Sequence, residues 1–234
     1  MLRLRGHTDI GTRPVPGTIL KFLKGEIVYA QGDPASDWFE VMSGTVRTCF
    51  LYSDGHRQLT GFFYPGDVFG IDTGHYSSSA EAVTAVTLRR CGRGFGEDEQ
   101  LSGARPVSGA LESALSNAQA CIFLLGRRTA AERMAAFLLT TAGRFTVDKP
   151  FHLPMSRSDI ADHLGLTIHT VSRTLSEFVR RNLISLNGPQ SIMIEDRCGL
   201  RRLADGDSDL DIPVRNIPPH ANVNSKDFTP AFGS

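Results

Sequence analysis

Two short helical segments joined by a glycine turn, within residues 156–181, constrain the fold more than any other part of the chain. Ser156 precedes the first segment, with Asp159 three residues later, and Thr167 precedes the second, as residues that cap helix N-termini do. Gly165 separates the segments, where a tight turn needs a left-handed backbone conformation that glycine adopts without strain. The pattern predicts a helix-turn-helix.

The apolar spacing of the same segment supports this prediction. Ala161 is small at the point where two crossing helices would approach closely, and Val171 would face the space between them. An apolar wedge is completed by Ile160, Leu164 and Leu166. The alternative is an ordinary helical hairpin inside a core, but the second helix leaves polar residues on an outward face at its N-terminal end.

That outward face has the chemistry of DNA recognition. Arg173 can donate two hydrogen bonds to the O6 and N7 edge of guanine, and Ser172 can contact bases less exclusively. Hydroxyl groups and the amides of helix N-termini suit phosphates, and a hairpin turning at Asn187-Gly188 would form a wing against the DNA backbone. The candidate DNA-contacting residues are Ser156, Arg157, Thr167, Ile168, His169, Thr170, Ser172, Arg173 and Asn187.

The charge distribution agrees with a polyanionic partner for this part of the chain. The net charge of the whole chain is zero, yet residues 127–202 carry 12 basic and 7 acidic side chains. Such a basic block is typical of nucleic-acid binding, although solvated helix faces are often basic as well.

The N-terminal part follows a different pattern, in which glycines separate short β-rich runs. These runs lie about ten residues apart, which favours a barrel or sandwich, and Asp54-Gly55 indicates a hairpin between two of them. The predicted strands are Glu26–Tyr29, Trp38–Met42, Thr45–Leu51, Gln58–Tyr64 and Ala80–Arg90.

Helical spacing begins at Ser108. Apolar residues then recur at intervals of four and three, which forms a seam about two heptads long. The helix either packs on its own domain or on the same helix of a second copy, and the periodicity alone supports both equally. The seam consists of Leu111, Leu115, Ala118, Ile122 and Leu125.

Breaks in these patterns divide the chain into four parts. Gly126–Thr129 interrupts the helix and is a candidate hinge, and a capping box at Thr129 and Glu132 predicts a new helix that ends at Gly143. The predicted parts are an effector-type β-barrel at 18–107, a dimerisation helix at 108–126, a winged helix-turn-helix domain at 127–198 and a disordered tail at 199–234.

At the helix-turn-helix the chain resembles a known family. Leu153–Thr167, followed by Thr170-Val171-Ser172-Arg173, resembles the DNA-binding segment of CRP/FNR transcription regulators, and Leu125–Arg133 is similar to the hinge of the FixK-type branch. Glycines at the turns of the barrel match the family's cyclic-nucleotide-binding-like domain at Gly32, Ser43-Gly44 and Pro65-Gly66-Asp67.

The resemblance covers residues 18–198 and implies an α+β fold. Its parts would be a jelly-roll barrel, a long dimerisation helix and a C-terminal winged helix-turn-helix. It also implies a homodimer that binds a palindromic promoter site in double-stranded DNA and contacts RNA polymerase, acting as an activator.

Three departures from the family pattern bear on its signal. No arginine stands within Gly70–Ala80 to pair with a cyclic nucleotide phosphate, which argues against cyclic AMP. Residues 1–48 hold no cysteine, and Cys121 alone cannot hold an iron–sulfur cluster that needs four ligands. His169 stands where the family commonly has glutamate, so the cytosine-facing base pair of a TTGA-type half-site is the least defined.

Other functions have weaker support. Haem would need ligands such as His7, His56, His75 or a cysteine, and Cys198 beside three arginines suggests redox control. The four cysteines form no CxxC pair, no apolar run reaches the roughly 18–20 residues of a membrane span, and no catalytic motif is present.

We therefore expect a cytoplasmic DNA-binding regulator, not an enzyme, without cofactor, metal or membrane partner. The alternative is a regulator of the same fold gated by a small ligand, haem or a redox signal.

Overall fold

The computed structural model of the protein describes residues 17–92, 107–127, 129–145, 149–188 and 190–206. The strands of its N-terminal part are β1 (Thr18–Phe22), β2 (Ile27–Tyr29), β3 (Asp37–Ser43), β4 (Val46–Leu51), β5 (Arg57–Phe63), β6 (Val68–Phe69), β7 (Ser79–Ala82) and β8 (Val86–Gly92). They form a barrel of two four-stranded antiparallel sheets, in the orders β1-β8-β3-β6 and β2-β7-β4-β5.

The barrel core lies between the two sheets and is rich in aromatic rings. Tyr29 stacks on Tyr76 with ring centroids 3.7 Å apart, and Phe39 stacks on Phe69 at 5.5 Å. The predicted hairpin at Asp54-Gly55 is confirmed, because β4 pairs with β5 across it. Four of the five predicted strands are confirmed, with ends shifted by one residue at most, as β2, β3, β4 and β5.

The predicted strand Ala80–Arg90 is wrong as a single element. The chain turns between β7 and β8, and Thr45 O accepts hydrogen bonds from Val83 N at 2.8 Å and Thr84 N at 3.4 Å. The turn packs against Gly44, which has a φ of +84° and where an added Cβ would lie 2.3 Å from the Ala85 carbonyl oxygen. This close approach of two loops, which the sequence run does not show, splits the strand.

Two helices follow the barrel. Helix α1 (Val107–Leu125) contacts α2 (Ala130–Ala142), β5 and β6. Thr129 caps α2, and its hydroxyl accepts a hydrogen bond from Glu132 N at 3.1 Å. The predicted break between the helices is confirmed at Gly126 and Arg127, the described residues between α1 and the cap.

The C-terminal domain has the predicted helix-turn-helix and hairpin. Its elements are β9 (Phe151–His152), α3 (Arg157–Leu164), α4 (Ile168–Arg180), β10 (Ile184–Leu186), β11 (Ser191–Ile194) and α5 (Arg197–Ala204), with the strands in the order β10-β11-β9. Gly165 ends α3 with a φ of 64°, as the turn requires. Ala161 and Val171 are buried where α3 and α4 cross.

The expected disordered tail from residue 199 is wrong for residues 199–206. Asp196 caps α5 by accepting a hydrogen bond from Gly199 N at 2.8 Å, and the helix packs against α2. Leu200, Leu203 and Ala204 are buried there, and this burial offsets the entropy of ordering a short helix. The remainder of the predicted tail, 207–234, lies outside the described residues.

None of the helices in the described ranges is both long enough and apolar enough to cross a membrane.

Candidate nucleic-acid interface

Helix α4 presents opposite faces to the core and to solvent. Its buried residues are Val171, Thr174, Leu175 and Phe178, at intervals that place them on one side of the helix. His169 and Arg173, four residues apart, lie exposed on the other side, and Ser172 beside them is half-buried. Within the described part of the chain, neither His169 nor Arg173 has a hydrogen-bond or ion-pair partner among those identified, so their donors are free to meet a ligand.

The N-termini of both helices of the motif are closed by hydroxyl groups. Ser156 Oγ accepts from Asp159 N at 3.1 Å, and Asp159 Oδ2 accepts from Ser156 N at 3.0 Å, which completes a capping box. Thr167 Oγ1 accepts from Thr170 N at 3.1 Å and lies 2.8 Å from Thr170 Oγ1. Both helices therefore point ordered, partly positive N-terminal ends outward, which suits DNA phosphates.

A hydrogen bond links the α3 part of the candidate surface to the α4 part. Arg157 Nη1 of α3 donates to Ser172 Oγ of α4 at 3.2 Å. The Ser172 hydroxyl keeps its own hydrogen for another acceptor, because the arginine uses only a lone pair of the oxygen. The structure thus brings together the predicted residues of α3 and α4 on one exposed surface.

The remaining predicted contacts lie at the edges of that surface. Ile168 is 49% exposed at the start of α4. Asn187 is exposed in the turn between β10 and β11, and its backbone N–H donates to Ser191 O at 3.0 Å. Gly188, which follows Asn187 in this turn, has a φ of 127°.

Helix α1 leaves an apolar stripe exposed. Leu111, Leu115 and Ile122 are 49%, 61% and 69% exposed, and Ala118 between them is also exposed. Leu125, the last residue of the seam, is half-buried. The helix is seated on its own chain through a different side, where Cys121 and Leu124 are half-buried. Phe123 on the same helix is 73% exposed as well, and an exposed apolar surface of this kind indicates a protein partner.

Sequence reasoning missed the contact between the helix-turn-helix and the barrel. His163 of α3 is buried against the rings of Phe62 and Phe137, with centroid separations of 5.1 and 5.9 Å. Its Nδ1 lies 3.2 Å from Leu59 O, and since a carbonyl only accepts, Nδ1 carries the hydrogen. The sequence holds no local signal for this contact, because its partners come from β5 and α2.

This buried histidine makes stability depend on pH. Burial lowers the pKa of His163 below its usual value, while the hydrogen bond to Leu59 O opposes this effect. The unfolded chain, with a histidine pKa of about 6.5, then binds more protons than the folded chain. The stabilisation is complete above about pH 6.5, the pKa in the unfolded chain. It is lost as the pH falls from there toward the pKa of His163 in the folded chain.

We expect the free energy of unfolding, measured in urea, to fall by up to about 1.4 kcal/mol per pH unit in that window through this one group. His163→Asn keeps a donor for Leu59 O and should remove this contribution to the slope. His56→Asn, in the exposed β4–β5 hairpin, serves as the control. Parallel pH profiles for the wild type and His163→Asn would contradict the assignment.

A cavity of about 530 Å³ lies between the barrel and helices α1 and α2. Its lining carries both charges. Asp72 lies on the cavity wall, where its Oδ1 accepts a hydrogen bond from Ser77 Oγ at 2.6 Å, and Arg127 and Arg144 line the cavity as well. No lysine or arginine occurs within residues 70–80, where the resemblance would place an arginine for a cyclic nucleotide phosphate.

The cysteines and histidines do not form a metal centre in the part of the chain that the structure describes, where no group of three potential ligands is found. Burial raises the pKa of the Cys91 thiol to about 11 and raises that of Cys121 as well. Both therefore stay protonated near neutral pH and are poor ligands and nucleophiles. His56, His75 and Cys198 are each exposed, whereas His7 lies outside the described residues.

Comparison with known proteins agrees with this architecture. Residues 19–94 match the cyclic nucleotide-binding domain, and residues 132–203 match the Crp-like helix-turn-helix domain. The nitrogen fixation regulation protein FixK of Azorhizobium caulinodans is 41% identical, over 80% of this chain and 79% of that protein. The fumarate and nitrate reduction regulatory protein of Escherichia coli is 32% identical, over 77% and 76%.

The fold is similar to a solved structure from the same group. FixK2 from Bradyrhizobium japonicum matches with a TM-score of 0.72 and 37% identity, over 81% of this chain and 98% of that one. Its match and those of the sequence relatives extend across both the barrel and the helix-turn-helix. The protein is thus a DNA-binding transcription regulator that belongs to the CRP/FNR family, in its FixK-type branch.

Proposed function

We propose that the protein is a cytoplasmic activator that binds a palindromic promoter site as a homodimer and contacts RNA polymerase. The observation that carries this proposal is the exposed face of α4, where His169 and Arg173 stand unpaired among the described residues beside two capped helix N-termini. Relatives named as transcriptional activators, such as FnrA of Stutzerimonas stutzeri at 34% identity, support the activating role.

The recognition surface divides its work between bases and phosphates. Arg173 reads guanine, and His169, Ser172 and Ile168 contact neighbouring base edges in the major groove. Ser156, Arg157, Thr167 and Thr170 hold phosphates at the two helix N-termini, and Asn187 contacts the DNA backbone from the wing. The DNA-binding domain that carries these contacts extends from residue 127 to residue 206, because α5 completes its core.

The dimer forms through α1. Its stripe of Leu111, Leu115, Ala118 and Ile122 packs against the same stripe of a second copy, with Leu125 at its end. Two-fold symmetry then places two α4 helices about 34–36 Å apart, one turn of DNA.

This geometry is tested by selecting DNA sites from a random library with the purified protein and footprinting the product. We expect a palindrome, and inserting about five base pairs between its half-sites should abolish specific binding because one half then lies on the opposite face of the duplex. A site without two-fold symmetry, or one indifferent to the insertion, would refute the proposal.

A second candidate is a regulator of the same fold gated by a small uncharged ligand. The cavity of about 530 Å³ favours it, because Ala118 and Cys121 of α1 line the cavity and would transmit a ligand's presence to the dimer helix. A rise in the melting temperature with a small-molecule library, coupled to a change in DNA affinity, would support gating. Full DNA affinity of ligand-free protein would support the first candidate alone.

A further inference from the structure

The barrel holds the first helix of the DNA-binding motif with a group of charged side chains, here called the clamp: Arg47 and Arg57 of the barrel with Asp159 and Asp162 of α3. Arg57 Nη2 lies 2.6 Å from Asp162 Oδ2 and 3.3 Å from Asp159 Oδ1. Arg47 Nη1 pairs with Asp159 Oδ1, and Arg47 Nη2 lies 2.8 Å from Glu81 Oε1 on β7.

These pairs are sheltered from water. The side chains of Arg47 and Asp159 are 15% and 6% exposed, and those of Arg57 and Asp162 are 34% and 27% exposed. Charge-assisted hydrogen bonds in such a setting are short and directional, unlike the loose pairs of an open surface. The clamp therefore fixes an orientation as well as a distance.

Asp159 joins the clamp to the DNA-facing surface. Its Oδ2 accepts from Ser156 N at 3.0 Å and from Ser156 Oγ at 2.8 Å, while its Oδ1 accepts from the two barrel arginines. One carboxylate thus closes the N-terminus of α3 and ties it to the barrel. Ser156 and Arg157, at that N-terminus, are the residues proposed above to hold phosphates.

Uncharged contacts extend the attachment along α3. Gln58 Nε2 donates to Asp162 O at 2.8 Å, and His163 Nδ1 donates to Leu59 O. Successive residues of β5 are therefore matched to successive residues at the end of α3. Tyr64 in the core of the DNA-binding domain and the 2.7 Å pair of Arg144 with Asp67 also attach that domain to the barrel, near α2, whereas the clamp attaches α3 itself.

We propose that Arg47 and Arg57 are positioning residues for DNA binding, acting through Asp159 and Asp162 to set the separation and angle of the two recognition helices in the dimer. The barrel and α1 have fixed positions relative to the two-fold axis of the dimer, and the clamp fixes the position of α3 relative to the barrel. The inference rests on the proposed DNA-binding homodimer, and it assigns the choice of half-site spacing to barrel residues that touch no DNA.

The test compares spacing preference with base preference. Arg47→Gln with Arg57→Gln breaks the clamp, and Arg89→Gln, which removes the 2.9 Å pair to Glu40 within the barrel, is the matched control. The probe is the palindrome selected by the wild-type protein, together with versions whose half-sites lie one base pair closer or further apart. The affinity for each is measured by fluorescence anisotropy.

For the wild type and Arg89→Gln we expect a sharp preference for one spacing. For the clamp variant, the ratio of the affinity for the selected spacing to the affinity for the shifted sites should fall by about tenfold. A loosely held domain can reach several half-site spacings, each at a lower effective concentration. The bases selected within each half-site should stay the same, which a general loss of stability would not produce.

Asp162→Asn provides a second variant if the double variant does not fold, because it removes the pair of Arg57 with Asp162 while leaving the capping box of Asp159 intact. It should flatten the spacing profile in the same direction. An unchanged, sharp profile in a folded clamp variant would overturn this inference alone. Failure of the wild-type protein to bind any palindrome would instead overturn the proposed function.

Discussion

Replacing Leu115 and Ile122 by glutamate should convert the protein into a monomer and remove specific DNA binding. Both side chains are more than half exposed in the single chain, so the substitutions leave its own core intact. In the dimer each glutamate would be buried beside its symmetry mate, where unpaired like charges are strongly unfavourable. A dimer that binds two half-sites together has an affinity about 10²–10⁴-fold higher than a monomer that binds one, so the affinity for the palindrome should fall by about that factor.

Light scattering measures the mass, and anisotropy with the selected palindrome measures the affinity. Leu23→Glu is the matched control, because Leu23 is equally exposed, at 69%, but lies in the turn after β1. It should leave both mass and affinity unchanged. A double variant that remains dimeric would show that the stripe on α1 is not the dimer interface.

Arg173→Ala should have the second largest effect, a loss of about 1–3 kcal/mol per half-site. The arginine stands exposed one turn into α4, with no partner identified among the described residues whose loss could account for the effect. Its planar guanidinium matches the O6 and N7 edge of guanine, and alanine offers no donor. Selection with the variant should therefore lose its preference at one symmetric base pair while keeping the rest of the site.

Arg180→Ala is the control for charge. Arg180 is exposed at the far end of α4 and pairs with Glu177 on its own helix. Its loss should weaken all sequences alike and reduce the salt dependence of binding, without changing the selected bases. If Arg173→Ala behaves in this way as well, Arg173 contacts phosphate, and base readout belongs to His169 or Ser172.

How far the sequence alone predicts this structure depends on the distance between interacting residues. The helix-turn-helix could be predicted because its caps, its glycine and its apolar wedge all lie within residues 156–181 and act on neighbouring residues. The barrel could be predicted as a class from its turns, but the split between β7 and β8 depends on a loop packing at Gly44.

The contacts that seat the motif could not be predicted. Arg47 and Asp159 are 112 residues apart, and neither carries a pattern that points to the other. Asp159 was identifiable as a cap, yet only the fold shows that its second oxygen serves the barrel. Helix α5 was missed for a similar reason, since eight residues give too short an apolar period and the surface that buries them lies on α2.

The place of α5 also affects how the protein is made. The core that encloses α2, α3 and α4 includes Tyr64 from the barrel and Leu200 and Leu203 from α5. The barrel can form early in synthesis, whereas the DNA-binding core stays open until α5 has left the ribosome. A chain interrupted shortly before α5 would carry every proposed DNA contact and still expose an apolar face to proteases and chaperones. Synthesis of α5 is thus required before the DNA-binding core can close.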